Sequence, residues 1–307
     1  MSTQKFSTNA LHAGHDVTQT AGTRAVPIYQ TSSYVFNDSE HAANLFSLKE
    51  LGFIYTRLNN PTNQILQDRL AAIEGGIGAV VFASGTAAIS TGLLTLLKAG
   101  DHIVLQNTLY GGTSNFIREE FPKYGIEFTF TKGLNISDFE NAIQSNTKLI
   151  HIETPSNPLM TITDIKGVSD LAKSKGIITT IDNTFASPVN QNPIDFGIDI
   201  VIHSATKYLG GHSDICAGAV ACSQEHIEKI WNVAKNLGGS LSDFMVWMLE
   251  RSIKTLVVRV KEQNRNAKKL ARYLDQHQDV SRVYYPGLKS HPDYKIAKKQ
   301  MRGFGGM

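Results

Sequence analysis

The chain has 307 residues, of which 41% are hydrophobic and 19% are charged, and its formal net charge at pH 7 is +3. This composition is ordinary for a globular protein with room for one large domain or two smaller ones. The charge is spread thinly with no long run of Lys or Arg, so nothing supports binding to nucleic acid or to a membrane surface. The longest apolar stretches, such as residues 79–83 and 198–202, are far too short to span a bilayer.

Neither a leader nor a disulfide framework is indicated. Residues 1–16 contain no apolar segment of the kind that directs export. The two cysteines, Cys216 and Cys222, do not form a framework, and we expect a protein of the reducing cytoplasm. They also lack zinc-like spacing with His203 and His212, so we predict no metal site.

The first 60 residues show little hydrophobic periodicity, many polar residues and several turn-forming residues. This pattern predicts an extended arm that packs against another surface, because it has no core of its own.

From about residue 79 onward, short apolar runs alternate with amphipathic segments of helix length. The predicted strands are 79–83, 101–106, 126–131, 148–154, 176–182, 198–205 and 217–222. The predicted helices lie near 86–98, 113–124, 137–146, 164–175 and 225–236. Because the strands are almost continuously apolar, helices should cover both faces of the sheet, which predicts an α/β fold with an open, mainly parallel sheet. Ligands of such folds bind at the carboxyl ends of the strands.

The C-terminal part begins with a long helical pattern over residues 243–277, and residues 280–287 then have the pattern of a first strand. A domain that stopped at residue 307 would have almost no core, so we expect the sequence to be incomplete. We therefore divide the chain into an arm (1–60), a main domain (61–250) and the start of an apparently truncated C-terminal α+β domain (251–307).

Polar residues suited to an anion follow the first predicted strand. Gly85 lets the backbone approach a ligand closely, and free N–H groups at the start of the next helix attract phosphate. A tight strand–helix turn capped by Ser84 explains the same residues equally well.

Asp182 stands at the end of another apolar strand, where an unpaired carboxylate is costly. A protonated pyridine nitrogen would be a suitable partner, since the carboxylate would keep the ring cationic and able to accept electrons. Taken alone, a helix or turn cap made by Asp182 is the better interpretation.

Lys207 follows a third apolar strand, in the company of Ser204, Thr206 and several glycines. A single lysine is usually a solvated surface residue, but this grouping favours a functional lysine in a semi-buried loop, able to form a Schiff base with an aldehyde. The two hydroxyls are placed to bind the same phosphate as Gly85. Tyr110 offers a ring at another strand end, either for stacking on a planar cofactor or for core packing.

Other nucleotide-binding and catalytic motifs fit poorly. The glycines of residues 75–80 precede a strand instead of following it, so they are not a dinucleotide-binding fingerprint. The sequence contains neither a nucleophile elbow of the GxSxG type nor a Walker A motif.

Seven segments together resemble the Cys/Met-metabolism family of pyridoxal-phosphate (PLP) enzymes, which includes cystathionine γ-synthase, the O-acylhomoserine sulfhydrylases, cystathionine γ-lyase and methionine γ-lyase. The segments are YTRLNNPT (55–62), ASGTAA (83–88), LYGGT (109–113), ETPSNP (153–158), DNTFASP (182–188), HSATKYLGGHSD (203–214) and YPGLKSHP (285–292). The resemblance runs over essentially the whole chain and implies the PLP-dependent transferase fold of type I.

The resemblance also implies roles for individual residues. Lys207 corresponds to the lysine that holds the cofactor aldehyde, Asp182 to the partner of the pyridine nitrogen, and Tyr110 to a ring-stacking tyrosine that helps to move protons. These three are the implied catalytic residues. The implied cofactor-binding residues are Tyr55, Arg57, Ser84, Gly85, Thr86, Tyr110, Asn157, Asp182, Thr184, Ser204, Thr206 and Lys207.

Within that set, Tyr55 and Arg57 match residues that reach the cofactor phosphate of a neighbouring subunit. The resemblance thus implies a homotetramer built from active dimers, and it accounts for an arm without a core. Asn157 matches a residue beside the cofactor and the substrate carboxylate. The arginine that binds this carboxylate in the family belongs to a C-terminal segment beyond residue 307.

The activity that we predict is γ-replacement on an O-acyl-L-homoserine by cysteine or sulfide, which gives cystathionine or homocysteine. Residues 22–46 resemble O-acetylhomoserine sulfhydrylases, whereas residues 153–292 are more similar to cystathionine γ-synthase and γ-lyase. Gly112 stands where methionine γ-lyases typically have a cysteine. The alternatives are γ-elimination from cystathionine or methionine, and a non-catalytic binding protein with the same fold.

Overall fold

The computed structural model describes residues 5–307, with residue 224 described in its backbone alone. Its strands are β1 (Gly78–Phe82), β2 (His102–Leu105), β3 (Glu127–Phe130), β4 (Thr147–Glu153), β5 (Ile178–Asp182), β6 (Ile200–Ser204) and β7 (Gly218–Cys222). Its helices are α1 (Phe6–His12), α2 (Ser39–Phe46), α3 (Pro61–Glu74), α4 (Gly85–Leu96), α5 (Gly111–Glu120), α6 (Ile136–Ala142), α7 (Ile165–Ser174), α8 (Ser187–Asn190), α9 (Gln224–Leu237), α10 (Asp243–Ile253), α11 (Leu256–Leu274) and α12 (Tyr294–Gln300). Short 3₁₀ turns lie at Val17–Gln19, Phe121–Tyr124 and Pro193–Phe196.

The seven strands form one sheet in the order β1-β7-β6-β5-β4-β2-β3. Strand β7 runs antiparallel to both of its neighbours, β1 and β6, and the other adjacent pairs are parallel. The predicted α/β class with a mainly parallel sheet is therefore confirmed. As a result, β4, β5 and β6 point the same way and end at one edge.

Helices cover both faces, which explains why the strands are apolar throughout. In β6, Ile200 and Ile202 pack with α4 residues such as Leu93 on one face. Val201, which lies between them, packs on the opposite face with Val168 of α7. A third cluster joins α3, α10 and α11 to the sheet.

Three predictions about the ends of the chain need correction. The arm is not extended throughout, because α1 and α2 lie within it. The helical pattern over 243–277 is two helices, since α10 ends at Ile253 and α11 begins at Leu256. No strand forms over 280–287 in the described chain, where no second strand offers it a partner; Tyr285 and Leu288 pack instead against Ala271 of α11.

No helix among residues 5–307 combines the length and the apolar character that a membrane-spanning segment requires.

Candidate active site

Helix α4 begins directly after β1 in a turn that is built for an anion. The Ser84 hydroxyl oxygen caps the helix by accepting the N–H of Ala87 at 3.1 Å, so the capping interpretation is confirmed. The cap leaves the N–H groups of Gly85 and Thr86 without acceptors inside the helix, as at every helix start. Capping and phosphate binding are thus compatible at this turn, because the positive end of the helix dipole favours an anion there.

Gly85 brings the start of α4 against the end of β6. A Cβ atom on Gly85 would lie 2.7 Å from Cβ and 2.9 Å from Cα of Ser204, closer than such atoms approach in proteins. On the other side, a Cβ on Gly218 of β7 would overlap the carbonyl oxygen of Ser84. The absence of two side chains thus creates the close contact that places the Ser204 hydroxyl beside the helix start.

Asp182 is the last residue of β5 and only 7% exposed. Its carboxylate accepts the N–H of Thr184 at 2.9 Å, which is the local turn cap that the sequence left open. Burial raises the pKa of Asp182, while the hydrogen bonds from Thr184 and the nearby His203 oppose that shift. Among the described ion pairs none includes Asp182, so a cationic group would be a favourable neighbour here.

Thr184 joins the ends of β5 and β6. While its backbone N–H binds Asp182, its side-chain oxygen accepts the N–H of Ser204 at 2.8 Å. The backbone N–H of Lys207 in turn donates to the carbonyl oxygen of Ser204 at 3.1 Å. Asp182 and Lys207 are therefore connected through Thr184 and Ser204 at one edge of the sheet.

Lys207 is exposed, and the expectation of a semi-buried lysine is wrong for the single chain. Its position explains the exposure, because the turn after β6 borders an open cavity of about 650 Å³. Residues lining this cavity include Phe185, Thr206, Lys207, Tyr208, Cys216 and Gln263. The Thr206 hydroxyl bonds to both backbone groups of Ala217, at 3.0 and 3.3 Å, and so fixes the turn that carries Lys207.

Tyr110 stands at the start of α5, with 48% of its surface exposed, so it is not a core residue. Its ring folds back over Gly112, where a Cβ atom would lie 2.5 Å from the Cε1 atom of the ring. The glycine therefore permits this position of the ring, and a side chain at residue 112 would displace it.

Glu153 was missed by the sequence analysis, although it lies in the segment ETPSNP. It is buried at the end of β4 and accepts the N–H groups of Tyr110 and Asn157. The signal was available, because Glu153 ends an apolar strand just as Asp182 does. Asn157 itself follows β4 and is half-buried.

Tyr55 and Arg57 lie elsewhere in the single chain. The Arg57 guanidinium donates to the carbonyl oxygen of Lys235, near the end of α9, and lies 5.9 Å from the centre of the Tyr55 ring. These two residues do not line the cavity that borders Lys207. Their implied reach into a neighbouring subunit stays a prediction.

Among the described residues, no group of three or more His, Cys, Asp or Glu side chains is arranged to hold a metal ion.

The family model described as "Cys/Met metabolism PLP-dependent enzyme" matches residues 7–307. The chain belongs to this family. It is accordingly a PLP-dependent enzyme of sulfur amino-acid metabolism, with the fold that the resemblance implied.

Curated relatives differ in the reaction that their names give. An L-methionine γ-lyase from Fusobacterium nucleatum subsp. nucleatum is 42% identical over 98% of this chain and 77% of its own length. A cystathionine β-lyase from Lactococcus lactis subsp. cremoris is 44% identical over 98% of this chain and 77% of its own length. A probable cystathionine γ-synthase from Herpetosiphon aurantiacus is 42% identical over 98% of this chain and 92% of its own length.

Among solved structures, cystathionine γ-lyase from Lactobacillus plantarum, complexed with L-serine, superposes with a TM-score of 0.93 at 40% identity. The match covers 99% of this chain and 77% of that one. Fold and family are thus secure, whereas the similar proteins do not agree on one reaction.

The edge of the sheet fits the PLP of this family. The close contact between Gly85 and Ser204 brings the backbone N–H groups at the start of α4 beside a hydroxyl, which suits a phosphate. The buried Asp182 carboxyl suits a cationic ring nitrogen.

We predict that Gly85→Ala weakens PLP binding. The added Cβ overpacks the contact with Ser204, and overpacking of this kind costs about 1–3 kcal/mol, so the Kd for PLP should rise by about tenfold or more. A titration of the apoprotein followed by visible absorbance measures the effect. Gly92→Ala in the same helix is the matched control, because its Cβ would make an ordinary contact, 3.4 Å from the Cδ1 atom of Ile202. Equal Kd values for both variants would contradict the assignment.

We predict that Gly112→Ala displaces the Tyr110 ring and lowers kcat/KM by about tenfold, the effect of removing a well-placed aromatic contact. Gly111→Ala adds the same methyl group where no atom lies within 4 Å, so it should stay close to wild type. Steady-state kinetics and the visible circular dichroism of bound PLP report the difference. If both variants behave alike, the ring position does not matter to the site.

Proposed function

We propose that this protein catalyses PLP-dependent γ-replacement on an O-acyl-L-homoserine, with cysteine or sulfide as the nucleophile. The products are cystathionine or homocysteine. Gly112 is the observation that favours this reaction over methionine γ-elimination, because it stands where methionine γ-lyases typically have a cysteine. The similarity to a probable cystathionine γ-synthase over 92% of that protein also supports the proposal.

The residues at the sheet edge would hold the cofactor as follows. Backbone N–H groups of Gly85 and Thr86 would bind its phosphate together with the Ser204 hydroxyl. The Thr206 hydroxyl would join them by turning away from the Ala217 carbonyl oxygen, to which it donates in the single chain. Asp182 would face the ring nitrogen, and Tyr110 would stack on the ring. Ser84 and Thr184 support this arrangement through the backbone, since the former caps α4 and the latter holds Asp182 beside Ser204.

When bound, PLP supplies an electron sink that lets protons leave substrate carbons next to its amine. The protein must then bind and move those protons. The amine of Lys207 anchors the cofactor and, once released by the substrate amine, serves as the base for protons at the substrate α and β carbons. Asp182 keeps a proton on the ring nitrogen, because a buried carboxylate strongly favours a cationic partner.

Gamma-elimination is the second candidate, and it has its own support. Both the Fusobacterium relative and the Lactobacillus structure are named as γ-lyases. Elimination needs the same lysine, aspartate and tyrosine, so these residues do not distinguish between the two reactions.

The arm supports a proposed homotetramer of active dimers. Its large apolar side chains include Val35 and Leu51, which are 97% and 92% exposed in the single chain. Such side chains are typical of surfaces that another protein covers. We propose that Tyr55 and Arg57 reach the partner's phosphate site from this arm, and that the enzyme acts in the cytoplasm, where its two free cysteines stay reduced.

The product formed decides between the candidates. We predict that the PLP-loaded protein converts O-acetyl- or O-succinyl-L-homoserine with cysteine or sulfide into cystathionine or homocysteine, detected by mass spectrometry. Cystathionine and methionine are offered in parallel as elimination substrates. Ketobutyrate release from these two without any replacement product would establish the lyase, and no product from any substrate would favour a binding protein.

A further inference from the structure

Glu153 ends β4 directly beside Asp182, the last residue of β5. The two residues are register partners in the parallel sheet, whose strands lie about 4.8 Å apart. Glu153 is only 5% exposed, so two acidic side chains are buried next to each other. Such an arrangement is unfavourable unless specific donors hold it.

Two backbone donors meet the Glu153 carboxylate, one at each oxygen. Oε2 accepts the N–H of Tyr110 at 2.6 Å, and Oε1 accepts the N–H of Asn157 at 2.9 Å. Tyr110 begins α5, whereas Asn157 lies in the segment that follows β4. One side chain therefore joins two segments that carry implied site residues.

The backbone of Glu153 is itself fixed by Gln106, which follows β2. The Gln106 amide donates to the carbonyl oxygen of Glu153 at 2.7 Å, and its side-chain oxygen accepts the N–H of Glu153 at 3.3 Å. The Thr163 hydroxyl donates to the same Gln106 oxygen at 2.8 Å and sets its orientation. These bonds fix where the Glu153 side chain begins, and the N–H groups of Tyr110 and Asn157 hold its carboxylate at the other end.

The electrostatics show what this placement costs. Burial, together with the neighbouring Asp182, raises the pKa of Glu153 to about 8, and the two N–H donors act in the opposite direction. A neutral amide or apolar side chain would avoid this penalty. Perturbed acids of this kind are concentrated in functional sites.

We propose that Glu153 is a positioning residue for the reaction, which holds Tyr110 and Asn157 in fixed places relative to Asp182. This inference rests on the proposed function, because Tyr110 and Asn157 matter only if PLP binds beside them. Glu153 acts through these two residues and not by touching the substrate.

The hydrogen bonds from Tyr110 and Asn157 to the Glu153 carboxylate, which we call the tether, can be tested directly by hydrogen exchange, without relying on turnover. In Glu153→Gln the side-chain nitrogen cannot accept a hydrogen bond, so one of the two N–H groups loses its acceptor. Exchange in the peptides that contain Tyr110 and Asn157 should become about tenfold faster in at least one of them, as expected when a buried hydrogen bond loses its acceptor. The measurement is made by mass spectrometry on the full chain, with and without added PLP.

Glu127→Gln is the matched control. Glu127 accepts a hydrogen bond from Asn146 at 3.0 Å at the start of β3, away from the carboxyl ends of the strands. Glu127→Gln makes the same substitution away from Tyr110 and Asn157, so it should leave the exchange of both peptides unchanged. If Glu153→Gln fails to fold, Glu153→Asp replaces it, because a side chain about 1.5 Å shorter cannot reach both N–H groups.

Kinetics and circular dichroism of the PLP-loaded Glu153→Gln variant distinguish a positioning role from a purely structural one. We expect kcat to fall by about tenfold with a smaller change in KM, and the visible circular dichroism of bound PLP to change, because the stacked ring is no longer fixed. Unchanged exchange overturns the tether. Faster exchange with unaltered kinetics and dichroism overturns the positioning role. If the wild-type protein binds no PLP or forms no product, the proposed function fails, and the exchange result still decides the tether.

Discussion

The parallel direction of β4, β5 and β6 is the constraint on which the site depends. Because the three strands end at one edge, Glu153, Asp182 and Ser204 come together from positions far apart in the sequence. Each follows an apolar run that secures its strand in the sheet, so the core determines where the polar groups emerge. The Thr184 bridge between Asp182 and Ser204 then fixes the distance between neighbouring strand ends.

Close packing of glycines supplies the second half of the site. Gly85 and Gly218 let the start of α4 approach the end of β6 and the start of β7 more closely than any side chain would permit. The helix terminus therefore meets the same edge where the carboxylates emerge. A region of positive potential and a buried acid are thus held side by side, which suits a ligand with a phosphate at one end and a cationic ring at the other.

The sequence predicted the site best where a single residue at the end of a strand is sufficient for the role. Asp182 and Gly85 were predicted from their positions at strand ends, and the structure brings their segments to one edge as expected. Glu153 was missed although it also ends an apolar strand, and its contacts with the backbone N–H groups of Tyr110 and Asn157 are visible only in the structure. Lys207 was expected to be semi-buried, since an apolar strand precedes it, but the turn after β6 opens onto a cavity. Residues 280–287 have a strand pattern, yet a strand needs a neighbour that this part of the described chain does not provide.

The central claim is that the turn after β6 presents Lys207 to a cofactor aldehyde beside Asp182. The most direct measurement is borohydride reduction of the protein loaded with PLP, which makes the bond between an amine and the aldehyde permanent, followed by digestion and mass spectrometry. The account predicts that the phosphopyridoxyl mass is found on the peptide containing Lys207. Modification of a different lysine, with Lys207 left free, would contradict it.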